Sequence, residues 1–151
     1  MIEEKLKSLG LSLPPIAPPG GSYVSVNVRG SIAYVAIQFP ILGEEYKYLG
    51  RYGWELSTED GYQAARLTAL NILAQIEHYV GFDKIEGLNH IDAHYQAAVG
   101  WDEAPKVVNG ASDLFVEVLG DAGKHSRGIY GVDNLPRNFS IGITSSFTLK
   151  A

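Results

Sequence analysis

The sequence predicts an α+β fold, in which two main helices pack on one face of a mixed sheet of about six strands. Residues 23–29 alternate polar and apolar side chains, which is typical of a half-buried strand. By contrast, residues 61–80 and 107–118 carry apolar side chains at three- and four-residue steps, as amphipathic helices do. A length of 151 residues suffices for one domain with a sizeable core, and we expect residues 1–151 to form it.

Residues 1–21 are expected to be an extension of that domain. Residues 2–9 predict a short helix, and the connector after it contains four prolines between positions 14 and 19. Because proline lacks an N–H donor and fixes φ, neither a helix nor a central strand can pass through this connector. The strand 23–29 and a second strand over 32–37 then meet at Gly30-Ser31, which indicates a two-residue hairpin turn.

The first long helix is expected to begin after Ser57, following a glycine- and tyrosine-rich short strand and loop over 43–56. A hydroxyl at the N-cap accepts a hydrogen bond from a backbone N–H that has no partner within the helix. The acids Glu59 and Asp60 interact favourably with the positive end of the helix dipole. Gly81 suits the end of this helix, because glycine adopts a left-handed conformation without strain.

Strand and helix then alternate to the end of the sequence. Residues 84–99 are expected to be mainly strand, and Pro105 suits the first turn of the second helix, which ends near Gly120. Two closing strands are expected over 127–132 and 139–149. The resulting order is β-β-(β)-α-β-α-β-β.

The composition excludes several classes of function. The chain has no cysteine, which rules out a disulfide framework, a thiolate metal site and a cysteine nucleophile. Its formal net charge is −5 and its twelve Lys and Arg residues are scattered, which argues against a nucleic-acid surface. No apolar run approaches the roughly 20 residues of a membrane span, and the N-terminus lacks the apolar core of a signal peptide. We therefore expect a cytoplasmic protein with no membrane partner.

Several motifs, taken in order, resemble the YjgF/RidA family, also described as endoribonuclease L-PSP-like proteins and imine deaminases. They are the hairpin that ends in Gln38-Phe39-Pro40, the helix entry 57–66, the helix segment 105–114, the run Gly123-Lys124-His125-Ser126-Arg127, and Leu135-Pro136. The resemblance covers about residues 23–147. It implies the chorismate mutase-like (YjgF/L-PSP) fold, a homotrimer, and hydrolysis of 2-imino or enamine intermediates to 2-oxo acids and ammonia. We expect no cofactor.

The resemblance also implies a ligand site. In the family an arginine binds the carboxylate of a 2-imino acid, and Arg127 matches it as the catalytic and ligand-binding residue. Tyr23 matches a pocket tyrosine, and Asn109 matches a pocket asparagine. Two positions depart from the pattern: the family's serine falls at Ala36, and the glutamate that positions water falls at Gly142. We therefore expect the carboxylate-binding half of the site to be retained and the water-positioning half to be lost.

Each candidate has a structural alternative. Arg127 could form a surface salt bridge, Tyr23 could simply favour a strand, and Asn109 could be a polar residue on a helix face. Trp101 could pack against its own loop or help to line the ligand site. The sequence alone leaves these alternatives open.

The histidines are weaker candidates. His90 and His94 are four residues apart and share a strand face, but no third ligand offers itself, because Asp92 is expected on the opposite face. We therefore expect no metal site. His125 precedes Arg127 by two residues and could donate a hydrogen bond or a proton, although a solvated loop histidine is the simpler interpretation.

Three functions follow as hypotheses. The first is an imine or enamine deaminase with Arg127 as the carboxylate anchor. The second is a non-catalytic sensor that binds a small carboxylate at a subunit interface, which the loss of an acid at Gly142 favours. The third is RNA cleavage or translation inhibition, which ranks last because the sequence shows no basic groove interleaved with aromatic residues.

Overall fold

The computed structural model describes all residues 1–151 and contains three α-helices and seven strands. They are, in chain order, α1 (Ile2–Ser8), β1 (Val26–Arg29), β2 (Ile32–Gln38), β3 (Ile41–Leu42), β4 (Glu45–Tyr46), α2 (Thr58–Tyr79), β5 (Ile85–Tyr95), α3 (Ala104–Leu119), β6 (Ser126–Gly131) and β7 (Ile141–Leu149). The predicted α+β class is confirmed. None of the helices is both long and apolar enough to cross a membrane.

The main sheet has five strands in the order β1-β2-β7-β5-β6, and all neighbours are antiparallel except β5 and β6, which run parallel. Five strands are close to the number of about six expected, and residues 41–46 form a separate two-stranded hairpin of β3 and β4. The strand β1 also starts later than expected, at Val26, although the Ala36 N–H still donates to the carbonyl of Ser25 at 2.9 Å.

The first long helix begins as its sequence predicts. Ser57 Oγ accepts a hydrogen bond from the Asp60 N–H at 3.0 Å, and the Asp60 carboxylate accepts one from the Ser57 N–H at 2.9 Å. This reciprocal capping box satisfies two orphan donors. The two long helices then approach closely at Gly110, where a Cβ would lie 2.0 Å from the carbonyl oxygen of Tyr62. Only glycine permits this spacing between α2 and α3.

The two faces of the main sheet differ in chemistry. The long helices cover one face, where Ile91, Ile143 and Phe147 are fully buried. The other face, here the open face, carries side chains from alternate positions of the same strands, among them the polar residues His90 and Thr144. The period of two along each strand assigns every side chain to one face or the other.

Candidate functional site

Arg127 lies on the edge strand β6, on the sheet face that the helices cover. Its backbone pairs with fully buried Ile91 in the parallel register, so its side chain extends toward α3. There Arg127 Nη1 donates to Asn109 Oδ1 at 2.9 Å and to Ser112 Oγ at 3.0 Å, while Nη2 lies 3.4 Å from the carbonyl oxygen of Pro105. Two of the predicted residues, Arg127 and Asn109, are therefore in direct contact.

Every protein partner of the Arg127 guanidinium is a neutral oxygen. The residue takes part in no ion pair, whereas Arg66 at the helix surface is paired with Glu117 at 3.0 Å. The surface salt bridge that was the alternative for Arg127 is absent. A partly buried cation held by neutral acceptors keeps its charge and its remaining N–H donors available for an external anion.

A second hydrogen bond fixes Ser112 beneath Arg127. His125 Nδ1 lies 2.6 Å from the carbonyl oxygen of Gly123, and His125 Nε2 lies 2.9 Å from Ser112 Oγ. Because a carbonyl can only accept, Nδ1 carries the proton of the neutral ring, and Nε2 accepts the Ser112 hydroxyl proton. The lone pairs of Ser112 Oγ are therefore free to accept the hydrogen bond from Arg127. These four side chains (Arg127, Asn109, Ser112 and His125) are called the Arg127 cluster below.

His125 is therefore not the freely solvated loop histidine that was expected. It is partly buried and stacks edge-on against Phe115, with ring centroids 5.8 Å apart. The turn before β6 holds it there, since a Cβ at Gly123 would lie 2.1 Å from the Phe115 carbonyl oxygen. The glycine lets this turn lie directly on α3, which brings His125 to Ser112.

Tyr23 lies in a different place. It lines an open groove of about 920 Å³ between the proline-rich connector, the end of β2 and the loop before β7, and neither Arg127 nor Asn109 is among the lining residues. The Tyr23 hydroxyl accepts a hydrogen bond from the Gly20 N–H at 3.0 Å, and Arg137 donates to the Tyr46 hydroxyl across the groove. Within one chain, Tyr23 is therefore separate from Arg127 and Asn109.

Gly142, where the family keeps its glutamate, is buried on β7 opposite His94. A Cβ at this position would lie 2.7 Å from both Ile37 Cδ1 and Phe39 Cε1. The side chains of Ile37 and Phe39 occupy the space that a longer residue needs. The pairing of β2 with β7 shifts register between Val35 and Gln38, and Ile37 lies within that irregular stretch.

Trp101 packs inside its own chain. Its ring lies 5.3 Å from the Tyr52 ring and 5.4 Å from the Tyr95 ring, and its Nε1 donates to Thr58 Oγ1 at 3.1 Å. Thr58 in turn donates to Glu103, and this bond, together with the bond from the exposed Lys106, holds the pKa of Glu103 below its ordinary value. These contacts are those of a loop-packing residue, and a ligand contact for Trp101 stays a prediction.

The histidines of β5 lie on the open face. The expectation that Asp92 points away from His90 was wrong: Asp92 Oδ1 lies 3.0 Å from His90 Nε2. Residues 90, 92 and 94 share a face because strand side chains alternate with a period of two. That rule would have found the contact from sequence. No group of three or more histidine, aspartate or glutamate side chains is arranged to hold a metal ion.

Comparison with known proteins gives a consistent set of relatives. A family profile described as "YjgF/chorismate mutase-like, putative endoribonuclease" matches residues 3–148. The Trypanosoma cruzi protein TCP17 is 31% identical over 137 residues, covering 89% of this chain and 86% of its own length. A crystal structure from Shewanella oneidensis, given the same endoribonuclease description, superposes with a TM-score of 0.96 at 32% identity and 99% coverage of both chains. A protein of unknown function from Agrobacterium tumefaciens gives a TM-score of 0.91 at 32% identity, with 99% of this chain and 92% of that one covered.

Proposed function

The chain belongs to the YjgF/chorismate mutase-like family, and on that basis we propose that it binds a small carboxylate-bearing metabolite through Arg127 without hydrolysing it. The observation that carries the proposal is the Arg127 guanidinium, which neutral oxygens hold in place and no protein carboxylate neutralises. A guanidinium presents two parallel N–H donors that match a carboxylate, and the pair of charge-assisted bonds is among the stronger polar contacts in proteins.

The neighbours of Arg127 support recognition of a polar ligand. Asn109 is exposed and its amide group reaches Arg127, so its N–H₂ donors can serve a second ligand oxygen. Ser112 accepts a hydrogen bond from the guanidinium and His125 holds Ser112 in place, so the remaining guanidinium N–H donors can serve a ligand. Tyr23 enters the proposal through assembly: in a homotrimer, which the family resemblance implies, the Tyr23 groove of one subunit would complete the Arg127 site of its neighbour.

The absence of hydrolysis rests on position 142. Imine hydrolysis needs a group that positions water, and the family places a glutamate where this chain has Gly142. That space is filled by the side chains of Ile37 and Phe39. Deamination of imines or enamines is the second candidate, favoured by the retained arginine alone. RNA cleavage, the activity for which several relatives are described, is the third, and the net charge of −5 weighs against it.

Two assays on the same preparation test the proposal. The first measures thermal unfolding against a panel of 2-oxo, 2-hydroxy and 2-amino acids, because a ligand that binds only the native state raises Tm by mass action. We expect a rise with at least one carboxylate, its loss in Arg127→Ala, and its retention in Arg29→Ala, which removes an exposed arginine with only local bonds. A rise that persists in Arg127→Ala would refute the site.

The second assay measures ammonia release from an enzymatically generated imino acid. We expect the rate to equal that of the uncatalysed control in the wild-type protein. An acceleration that depends on Arg127 would contradict the proposed non-hydrolytic function and support the deaminase function. Cleavage of a defined single-stranded RNA by nuclease-free protein would replace it with the third candidate.

A further inference from the structure

A second arginine without a carboxylate partner lines the Tyr23 groove. Arg137 Nη1 donates to the Tyr46 hydroxyl at 2.5 Å, and the guanidinium carbon lies 5.7 Å from the centre of the Tyr46 ring. The side chain forms no ion pair, and its one hydrogen bond uses a single N–H donor of the five that a guanidinium has. The edge formed by Nε and Nη2 is therefore available to a carboxylate, which pairs with two parallel N–H groups.

The backbone around Arg137 is held in an unusual conformation. Arg137 and Asn138 have φ angles of 54° and 62°, which residues with a side chain rarely adopt. Buried Gln96 holds this turn, because its Nε2 donates to Asn138 Oδ1 at 2.9 Å and its Oε1 accepts from the Leu135 N–H at 2.8 Å. Strained backbone persists where its surroundings impose it, and it is common at binding sites. The turn thus gives Arg137 a defined backbone position beside the groove.

Aromatic and apolar side chains line much of the groove. The rings of Phe39 and Phe139 stack with their centroids 4.3 Å apart, and the Tyr46 ring lies 5.0 Å from that of Phe139. Ile37 and Phe39, which fill the space beside Gly142, both line the groove as well. The packing that leaves no room for a longer residue at position 142 therefore offers an apolar surface to a ligand.

The groove is preformed, because side chains of α2 hold two of its walls. Residues 15–20 of the proline-rich connector form one wall, and Gln75 Nε2 donates to the Ala17 carbonyl oxygen there at 3.1 Å. At the end of β2, Asn71 Nδ2 donates to the Phe39 carbonyl oxygen at 3.0 Å. A ligand therefore meets walls that are already in place, which lowers the entropic cost of binding.

The groove has few polar groups, and these favour an anion with a large apolar part. Arg137 is the one cationic lining residue, and Glu44 is the one acid, exposed and without an ion pair to Arg137. Tyr23 and buried Ser25 add hydroxyl groups. A volume of about 920 Å³ is typical of pockets that hold a ligand with a ring system.

We propose that the Tyr23 groove binds an aromatic carboxylate, with Arg137 as the residue that determines specificity for the acid. The ring packs between the proline-rich connector and the aromatic side chains, and the carboxylate accepts hydrogen bonds from Nε and Nη2 of Arg137. No member of the Arg127 cluster lines the groove, so binding here goes beyond the function proposed above and does not depend on it.

Calorimetric titration of the full-length protein in its native assembly with 2-naphthoate and 2-naphthamide tests the proposal. The two probes share a ring system and differ in charge, so we expect saturable binding of naphthoate and at least about tenfold weaker binding of naphthamide. Arg137→Gln should lower the affinity for naphthoate to that for naphthamide and leave the affinity for naphthamide unchanged. The control Arg29→Gln, which changes an exposed arginine with only local bonds, should bind both probes as wild type does. Equal affinities of the two probes for wild type, or unchanged naphthoate affinity in Arg137→Gln, would overturn the proposal.

The variant Arg127→Ala separates this site from the Arg127 cluster. We expect it to bind naphthoate with the wild-type affinity. Loss of naphthoate binding in Arg127→Ala, with retention in Arg137→Gln, would place the acid at Arg127 and overturn the groove site while the proposed function stands. Naphthoate binding that persists in Arg127→Ala and is lost in Arg137→Gln supports the groove site, even where no 2-oxo acid raises the Tm of wild type.

Photolabelling of the wild-type protein provides a measurement that needs no variant to fold. Benzophenone-4-carboxylate should label residues 15–25, 37–46 or 136–139, located by peptide mass spectrometry, and excess 2-naphthoate should suppress the labelling. Labelling confined to residues 105–128 would place the acid at the Arg127 cluster and overturn the proposal. Circular dichroism confirms that each variant used in the titrations is folded.

Discussion

The family resemblance implies that the Arg127 cluster and Gly142 serve one site, yet the surroundings of the two have opposite characters in this chain. Around Arg127, the polar atoms are present and oriented: Asn109, Ser112 and His125 form a connected set of hydrogen bonds. Around Gly142, the polar group is missing and hydrocarbon from Ile37 and Phe39 fills its place.

The packing around Gly142 bears on whether a carboxylate could be introduced at that position. A glycine in an open pocket could be replaced by glutamate at little cost. Gly142 is instead a position where the backbone of β7 is covered by two apolar side chains. The cluster that we propose binds an anion therefore already has its polar groups in place, whereas a carboxylate at position 142 would require its neighbours to move.

The largest effect is expected for Gly142→Glu. Overpacking costs about 1–3 kcal/mol, and the ends of both Ile37 and Phe39 must move to admit a long side chain, so we expect a loss of about 3 kcal/mol in the free energy of unfolding. For a chain of this size the Tm falls by about 6 °C or more. Gly142→Ala is the matched control and should lose only about 1 kcal/mol, since both neighbouring atoms are ends of movable side chains. Equal stabilities of Gly142→Glu and wild type, from urea unfolding, would mean that the space is open.

The next effect is expected for Ser112→Ala, which removes the acceptor of Arg127 and the donor to His125 together. We expect a loss of about 2 kcal/mol in unfolding free energy, because two partly buried polar groups lose a partner. Carboxylate affinity should also fall several-fold as the guanidinium becomes less well oriented. Ser31→Ala, at an exposed turn position, serves as the control in both chemical unfolding and ligand titration. A variant that binds as tightly as wild type would remove Ser112 from the cluster.

A smaller effect is expected for Asn109→Ala. Asn109 is exposed, so its loss should leave stability within about 0.5 kcal/mol of wild type. Affinity for a carboxylate should nevertheless fall roughly fivefold, equivalent to about 1 kcal/mol, if the amide contacts the ligand. Calorimetric titration measures the affinity separately from the stability. Unchanged affinity would mean that Asn109 holds Arg127 in place and does not contact the ligand.

The smallest effect concerns Tyr62, which ties α2 to α3 next to the cluster. Its hydroxyl donates to Asp113 Oδ2 at 2.6 Å, and this bond raises the pKa of Tyr62 from 10.0 to about 12. A raised folded-state pKa means that the stabilisation is complete below the unfolded value of 10.0 and is lost as the pH rises through about 12. Because the bond is at the surface, Tyr62→Phe should cost less than about 1 kcal/mol. Absorbance at 295 nm in wild type and Tyr62→Phe follows the titration, and a midpoint near 10 would contradict the bond.

Much of the fold could be predicted from local patterns. The bounds of α2 and α3 follow the apolar periodicity, and the capping box at Ser57 is where the hydroxyl and acids predict it. The separation of β3 and β4 from the main sheet could not be predicted, because it depends on tertiary contacts.

Less of the candidate site could be predicted from the sequence. The resemblance identified Arg127 and Asn109, but Ser112 was missed because its contact with His125 requires a turn that packs on α3. The resemblance also implied that Gly142 stands where the family has a glutamate. That Ile37 and Phe39 fill the space could not be predicted, since it depends on the register shift between β2 and β7. The prediction that Asp92 points away from His90 was wrong although the sequence was sufficient, because residues 90 and 92 of one strand lie on the same face.

Calorimetric titration of a 2-oxo acid such as 2-oxobutyrate into wild type, Arg127→Lys and Arg29→Lys tests the central claim most directly. Lysine keeps the charge but loses the bidentate geometry, so we predict saturable binding to wild type and Arg29→Lys and at least about tenfold weaker binding to Arg127→Lys, or about 1.4 kcal/mol. Equal affinity in all three proteins would contradict Arg127 as the carboxylate site.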